Sequence, residues 1–190
     1  MVNKAGVQVT IARTSGAGAL IKRMAGVRKV AAYVGVPSAG KRERKQQLQE
    51  LAAKARNPSK QTRLKVAAAA NDITNAEALY LFTNGSPAKH QPARPVLGPA
   101  VEADGNREPI ANELAQASKA ILAGDKPEAI KRVRRAALAG QNAARSWFTD
   151  PRNNWAPNAP STIAAKGSDR PGIDTGAMRA SIQGLVEEEQ

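Results

Sequence analysis

Residues 109–148 read PIANELAQASKAILAGDKPEAIKRVRRAALAGQNAARSWF, and this run sets the fold class. Pro109 opens a helix in which Ile110, Leu114, Ala117 and Ile121 recur at helical spacing and form one face. Gly124 ends that helix. Asp125 then stands as an N-cap with Glu128 three residues on, a capping-box pattern, and the second helix runs to about Phe148 through Gly140.

Strand patterns lie at both ends of the chain. Val7, Val9 and Ile11 alternate with Gln8, Thr10 and Ala12, which predicts a short half-buried strand; Val27 to Val36 is rich in β-formers and stops at Pro37. Gln183 to Glu187 predicts a last strand. Strands at the ends with helices between them predict an α+β fold, a small sheet of few strands packed with two long helices. One domain spans 1–190, with an N-terminal arm over 1–24 and a basic insertion over 38–70. Ala19 to Ala25 suits one or two helical turns.

The middle of the chain reads less evenly. Residues 41–57 predict a helix with Leu48, Leu51, Ala52 and Ala55 on one stripe, ended by Pro58. Residues 62–70 fit either a strand or an Ala-rich helix. Thr74 or Asn75 caps a helix through Phe82, with Glu77 placed to complete the box for Thr74 and Asn84-Gly85 as the stop. Pro87, Pro92, Pro95 and Pro99 predict a stiff extended connector, and residues 149–173 a Pro- and Asn-rich loop. Thr175 caps a brief helix to Ile182.

Composition excludes several kinds of chemistry. The 190 residues hold no cysteine, so there is no disulfide, thiolate nucleophile or Cys-ligated metal site. A single histidine, His90, excludes multi-His metal sites and leaves little for general-base work. No apolar run approaches the ~18 residues of a membrane span, mean hydropathy is −0.45, and Met1 to Ala12 lacks the apolar run of a signal peptide. The expectation is a soluble protein made in a reducing cytoplasm, with no membrane partner and no cofactor. Six aromatics serve the whole chain, and much of the 42% apolar content is alanine, which buries little area. A core that thin predicts stabilisation by neighbouring subunits.

The charge is confined to one end. Of the formal +13, residues 1–70 carry all: fifteen Lys and Arg against Glu43 and Glu50, whereas residues 71–190 balance fourteen against fourteen. Lys41, Arg42, Arg44, Lys45, Lys54, Arg56, Lys60, Arg63 and Lys65 are the candidate contacts with a polyanion or an acidic protein. Aromatics for base stacking are lacking from this stretch, so its nucleic-acid chemistry would be phosphate-backbone contact.

Three short motifs fall short of catalysis. Gly35 to Lys41 matches the G-x-x-x-x-G-K of a P-loop, but Arg42 stands where the Mg²⁺-holding Ser or Thr belongs. Ile173-Asp174-Thr175-Gly176-Ala177 has the Asp-Thr-Gly of aspartic proteases, yet a helical pattern follows rather than an apolar strand. His90 lies in a Pro-rich loop without a Ser or Cys partner in sight.

Two segments taken together carry a resemblance. Asn75 to Pro87 (NAEALYLFTNGSP) continues into Gln91-Pro92-Ala93-Arg94-Pro95-Val96-Leu97; later come Pro157 to Gly167 (PNAPSTIAAKG) and Pro171 to Ile182 (PGIDTGAMRASI). Order and spacing resemble the bacteriophage tail-completion and head–tail joining (neck) proteins, the virion morphogenesis family. Their pattern is a small-residue helix ending in Phe-Gly, then P-A-R-P-F-L, P-x-x-x-x-T-I-x-x-K-G and P-L-I-D-T-G-x-L-x-x-S-I. Here Asn84 and Val96 replace Phe, and Gly172 and Met178 replace Leu. The matching residues are Gly85, Pro92, Arg94, Pro95, Thr162, Lys166, Gly167, Asp174, Thr175 and Gly176.

The resemblance implies a non-enzymatic structural subunit of the virion. It would assemble as a homo-oligomeric ring at the head–tail junction after synthesis in the host cytoplasm. Partners would be further copies of itself, neighbouring neck, connector and tail-tube proteins, and non-specific contact with genomic DNA in the channel. The terminal strands and the 86–99 connector are the candidate ring contacts. The alternative is a basic protein of ribosomal or nucleoid type that binds nucleic-acid backbone. Arg94, on a stem fixed by Pro92 and Pro95, suits a bidentate bond to a carboxylate, with Asp174 as candidate partner, or to backbone carbonyls.

Overall fold

The structure, a computed structural model, describes residues 30–37, 41–70 and 73–188. The expected strand Val7–Ala12, the turns at 19–25 and the rest of the 1–24 arm lie outside the described residues. Along the chain come β1 (Val30–Gly35), α1 (Lys41–Lys54), α2 (Pro58–Ala70), α3 (Asn75–Asn84), α4 (Leu97–Glu102), α5 (Arg107–Ala123), α6 (Lys126–Trp147), α7 (Pro160–Lys166), α8 (Ala177–Ser181) and β2 (Gln183–Glu188). Single 3-10 turns occupy Pro87–Lys89 and Pro151–Asn153. The fold is α+β, mostly helical, with one two-stranded antiparallel sheet among the described residues.

Helix α6 is the axis. Its buried stripe is almost all small (Ala129, Val133, Ala136, Ala137, Gly140, Ala143, Ala144), so α5 and the sheet both approach it closely. A Cβ at Gly140 would stand 2.6 Å from Val34 Cγ2, and one at Gly184 would overlap the Ala137 carbonyl. The glycine inside the long helix is thus where the sheet rests. Strand β1 pairs with β2 from Val30↔Glu188 to Gly35↔Gln183. Gln141 Oε1 accepts from Gly184 N at 3.0 Å, while Arg145 donates to Ile182 O at 2.9 Å and Ala180 O at 2.8 Å. Helix α6 therefore binds α8 and the first half of β2 through side chains as well as by packing.

Capping follows the expected residues at α3 and, with one difference, at α6; α5 opens at Arg107 rather than Pro109, and α8 has Gly176 rather than Thr175 at its N-cap. Thr74 and Glu77 make a full capping box on α3. At α6 the Asp125 carboxylate accepts from Glu128 N at 3.0 Å, but the Glu128 carboxylate turns forward to Arg132 (2.7 Å) and Lys131 (3.3 Å). Arg132 also reaches Glu113 on α5 at 3.3 Å, so the half-formed box becomes a clasp between the two long helices.

Other expectations need correction. Pro58 does not merely end the helix of 41–57; that helix closes at Lys54, and Pro58 is the first residue of α2. Asn57 Oδ1 accepts from Ser59 N (2.9 Å) and Lys60 N (3.2 Å), an N-cap with Pro at the position where a missing N–H costs nothing. Residues 62–70 are accordingly helical. The supposed extended connector is broken up: Pro87 starts a 3-10 turn, Pro92–Pro95 lie outside any helix or strand, Val96 is already αR as the N-cap of α4, and Pro99 lies inside α4. The supposed loop 149–173 contains a 3-10 turn and α7, which Pro160 opens. Strand β2 pairs with β1 of the same chain over Gln183–Glu188.

Two cores result. Leu79, Phe82, Val96, Ala144, Phe148 and Ile182 belong to the main one; Leu48, Ala52, Leu64 and Ala68 fill a separate core between α1 and α2 that meets the body at Ala177.

Gly184→Ala should destabilise the chain by about 2 kcal/mol, because the added methyl pushes β2 off α6, whereas Gly98→Ala meets nothing within 4 Å and should leave it as stable or more so; urea unfolding distinguishes them. The Glu128 carboxyl is held below its ordinary value by hydrogen bonds from Arg132 and Lys131. Its stabilisation is complete above the unfolded carboxylate pKa and is lost as pH falls through the depressed folded value. Glu128→Gln should therefore reduce the difference between urea midpoints at neutral and acidic pH.

Candidate functional site

The two quoted segments meet at one buried arginine. Arg94 is only 6% exposed. Its Nε and Nη2 donate to Ala156 O at 3.0 and 2.8 Å, and Nη2 also donates to Pro157 O at 3.1 Å. Asp174 is not its partner: the guanidinium takes the carbonyl option, and Asp174 is exposed. Burial pushes the Arg94 pKa down, with no carboxylate acting against that shift.

Aromatics surround this fork. The Arg94 guanidinium lies 5.6 Å from the Phe82 ring centroid. Phe82 stacks with Phe148 at 5.9 Å, and Trp155 meets both rings edge-on at 5.1 and 5.5 Å. Trp155 Nε1 donates to Pro95 O at 3.1 Å, and Arg94 N to Phe82 O at 3.0 Å. Half of the chain's six aromatics thus serve one junction. Gly172 has φ +70 and a Cβ there would stand 2.7 Å from Phe82 and 2.8 Å from Phe148, so the Leu of the family pattern has no room.

Beside the junction opens a cleft of about 800 Å³ between the 89–94 loop and the 157–166 segment. Lys89, His90, Gln91, Arg94, Asn158, Thr162 and Lys166 line it, with Phe82 and Gly172 among the apolar walls; no carboxylate does. Lys166 Nζ donates to Arg170 O at 2.6 Å. His90 is exposed at φ 49. The cleft presents positive charge and amide groups, which suits a carboxylate-bearing or peptide-like ligand. No hydrogen bond joins His90 to the Ser161 or Thr162 hydroxyl, and no group of three or more His, Asp or Glu gathers among the described residues.

The remaining candidates are placed as follows. Gly85 ends α3 and Gly167 ends α7, each at positive φ, and Pro95 flanks the junction at the surface. Asp174, Thr175 and Gly176 do not line the cleft; they turn the chain into α8, where Thr175 Oγ1 accepts from Ala177 N at 3.2 Å. Gly176 has open space around it, so its positive φ, not close approach, accounts for glycine there. Arg44 is taken up by the body, donating to Ile73 O at 2.7 Å. Lys45, Lys54, Arg56, Lys60 and Lys65 are exposed on α1, α2 and the link between them. Lys41, Arg42 and Arg63 belong to the same helices, with side chains outside the described part. Sequence reasoning missed Trp155 and Gln141, whose partners are backbone groups that leave no mark on residue identity.

Arg94→Lys should cost about 1–2 kcal/mol and Arg94→Ala about 2–4 kcal/mol, since a lysine cannot reproduce the fork and alanine also strips two carbonyls of their donor. Urea unfolding followed by tryptophan fluorescence (Trp147 and Trp155) reads both, and an Arg94→Lys chain as stable as the parent would show that the fork contributes nothing to stability. No helix among the described residues is long and apolar enough to cross a membrane. Compared with protein-family models, curated proteins and solved structures, the chain matches none.

Proposed function

We infer that the chain is a structural subunit of a phage head–tail junction that self-associates into a ring, a non-enzymatic tail-completion or neck protein of the virion. The ordered pair of sequence segments supports the family, and one structural observation supports the self-association: among the described residues the sheet has two strands and the second edge of β1 has no strand partner. Gly184 N–H bonds to Gln141 rather than to Val34, its register partner. In a regular antiparallel ladder Val34 and Ala32 therefore turn their N–H and C=O away from β2. Ala32 and Val34 also line a groove of about 310 Å³ with Leu97, Val101, Ile110 and Leu114. An unpaired strand edge beside an apolar groove is a template for strand addition from a second copy. The far face of the sheet exposes Tyr33 and Leu185, 51% and 40% accessible and directly paired. A strand donated to β1 by one copy and received by the next is a head-to-tail contact, the type that closes rings.

Native mass spectrometry and negative-stain imaging of the full chain should show closed rings. Assembly should increase with added salt, because each subunit brings a formal +13. Ala32→Pro removes one outward N–H and should shift rings to monomers while leaving the monomer's unfolding midpoint nearly unchanged. A stable monomer at all salt concentrations would refute the reading.

A further inference from the structure

We propose that the α1–α2 hairpin is a sequence-independent binding surface for the phosphate backbone of double-stranded DNA. The proposal stands on the hairpin itself, whether or not the chain forms rings. Residues 41–70 hold nine Lys and Arg against two Glu, a net of +7 in thirty residues. The hairpin has a core of its own and is fastened to the body at one end, through Arg44 on Ile73 O and Asn75 Nδ2 on Gln47 Oε1 at 2.6 Å. Lys45, Lys54, Arg56, Lys60 and Lys65 are all exposed, and none takes part in the ion pairs described, which lie between residues of α5, α6, β2 and the 150–152 turn. The cations of the body are balanced by its acids; these are not.

The surface chemistry separates phosphate from an acidic protein. Protein interfaces are depleted in lysine and built around aromatic or arginine anchors in pockets. Among the described residues the exposed hairpin positions are Lys, Arg56, Gln, Asn, Ser, Thr, Pro and Ala with a single acid, Glu50; Val66 is the one large apolar exception, and 41–70 holds no aromatic. Cations and short hydroxyl or amide donors without an anchor are what positioning contacts to phosphate use. The helices hold 14 and 13 residues; at 1.5 Å per residue each is about 20 Å long, enough to lie along roughly six base pairs. No aromatic means no stacking on separated bases, which selects duplex over single strand.

Binding of a fluorescent 30-base-pair duplex of arbitrary sequence to the full chain, followed by anisotropy, tests this. With three to five phosphate contacts, log K should fall against log salt with a slope between about −2.7 and −4.5, a loss of about 40- to 500-fold from 50 to 200 mM. The combined variant Lys45→Gln, Lys54→Gln, Lys60→Gln and Lys65→Gln should lose at least about tenfold in affinity at 50 mM and show a flatter slope. Arg107→Gln with Lys119→Gln, on α5, should stay within twofold. Circular dichroism checks that the hairpin remains helical; should the fourfold variant misfold, Lys54→Gln with Lys60→Gln carries the same comparison. A slope shallower than −1, equal losses in the hairpin and α5 variants, or poly-L-glutamate bound as tightly as DNA through the same lysines would each overturn the proposal, the last in favour of an acidic protein.

Discussion

A buried guanidinium with carbonyl partners is the constraint around which the rest of the body is arranged. Arg94 is separated by some sixty residues from Ala156 and Pro157, and its fork joins the 92–95 segment to the stretch that follows the 151–153 turn. A charge in that position is tolerable only if its N–H groups are satisfied and a polarisable face lies beneath it. The carbonyls supply the first condition and Phe82 the second. Phe148 and Trp155 pack in turn on Phe82, so the aromatic cluster and the guanidinium share one junction. A chain with so few aromatics has concentrated them where one ion has to be accommodated.

Much of the body was legible in residue order. The Gly124-Asp125 junction and the Thr74–Glu77 box are local signals, and local physics forms those elements. Prolines misled for a physical reason. A proline is equally a helix terminator and the best first residue of a helix, and only the flanking cap distinguishes them. Asn57 before Pro58 held that information; Ala159 before Pro160 makes no side-chain cap, so α7 had no visible start. The partner of Arg94 was undecidable in kind, because any residue's carbonyl qualifies and sequence does not say which one arrives. Asp174 drew attention only because its charge is written in its name.

The polar cleft and the apolar groove beside β1 lie on different parts of the chain. The cleft sits where α3 and α6 end, against Phe82 and the 157–166 segment. The groove beside β1 lies along the middle of α6. Self-association through the sheet would leave the cleft accessible to a different partner, so a ring built this way retains a second set of contacts for the layer above or below.

The hairpin is a cassette. The chain leaves the body after Pro37 and re-enters it at Ile73, and Pro37, Arg44 and Asn75 line one small cavity, so exit and return lie side by side. What lies between has a core of its own, and almost none of its apolar residues is needed to close the core of the body. Arg44 Nε and Asn75 Oδ1 at the attachment are buried without hydrogen-bond partners. Selection acting on such an architecture can lengthen, recharge or delete the basic segment without refolding the neutral body, so the charge of one part and the core of the other are free to change independently.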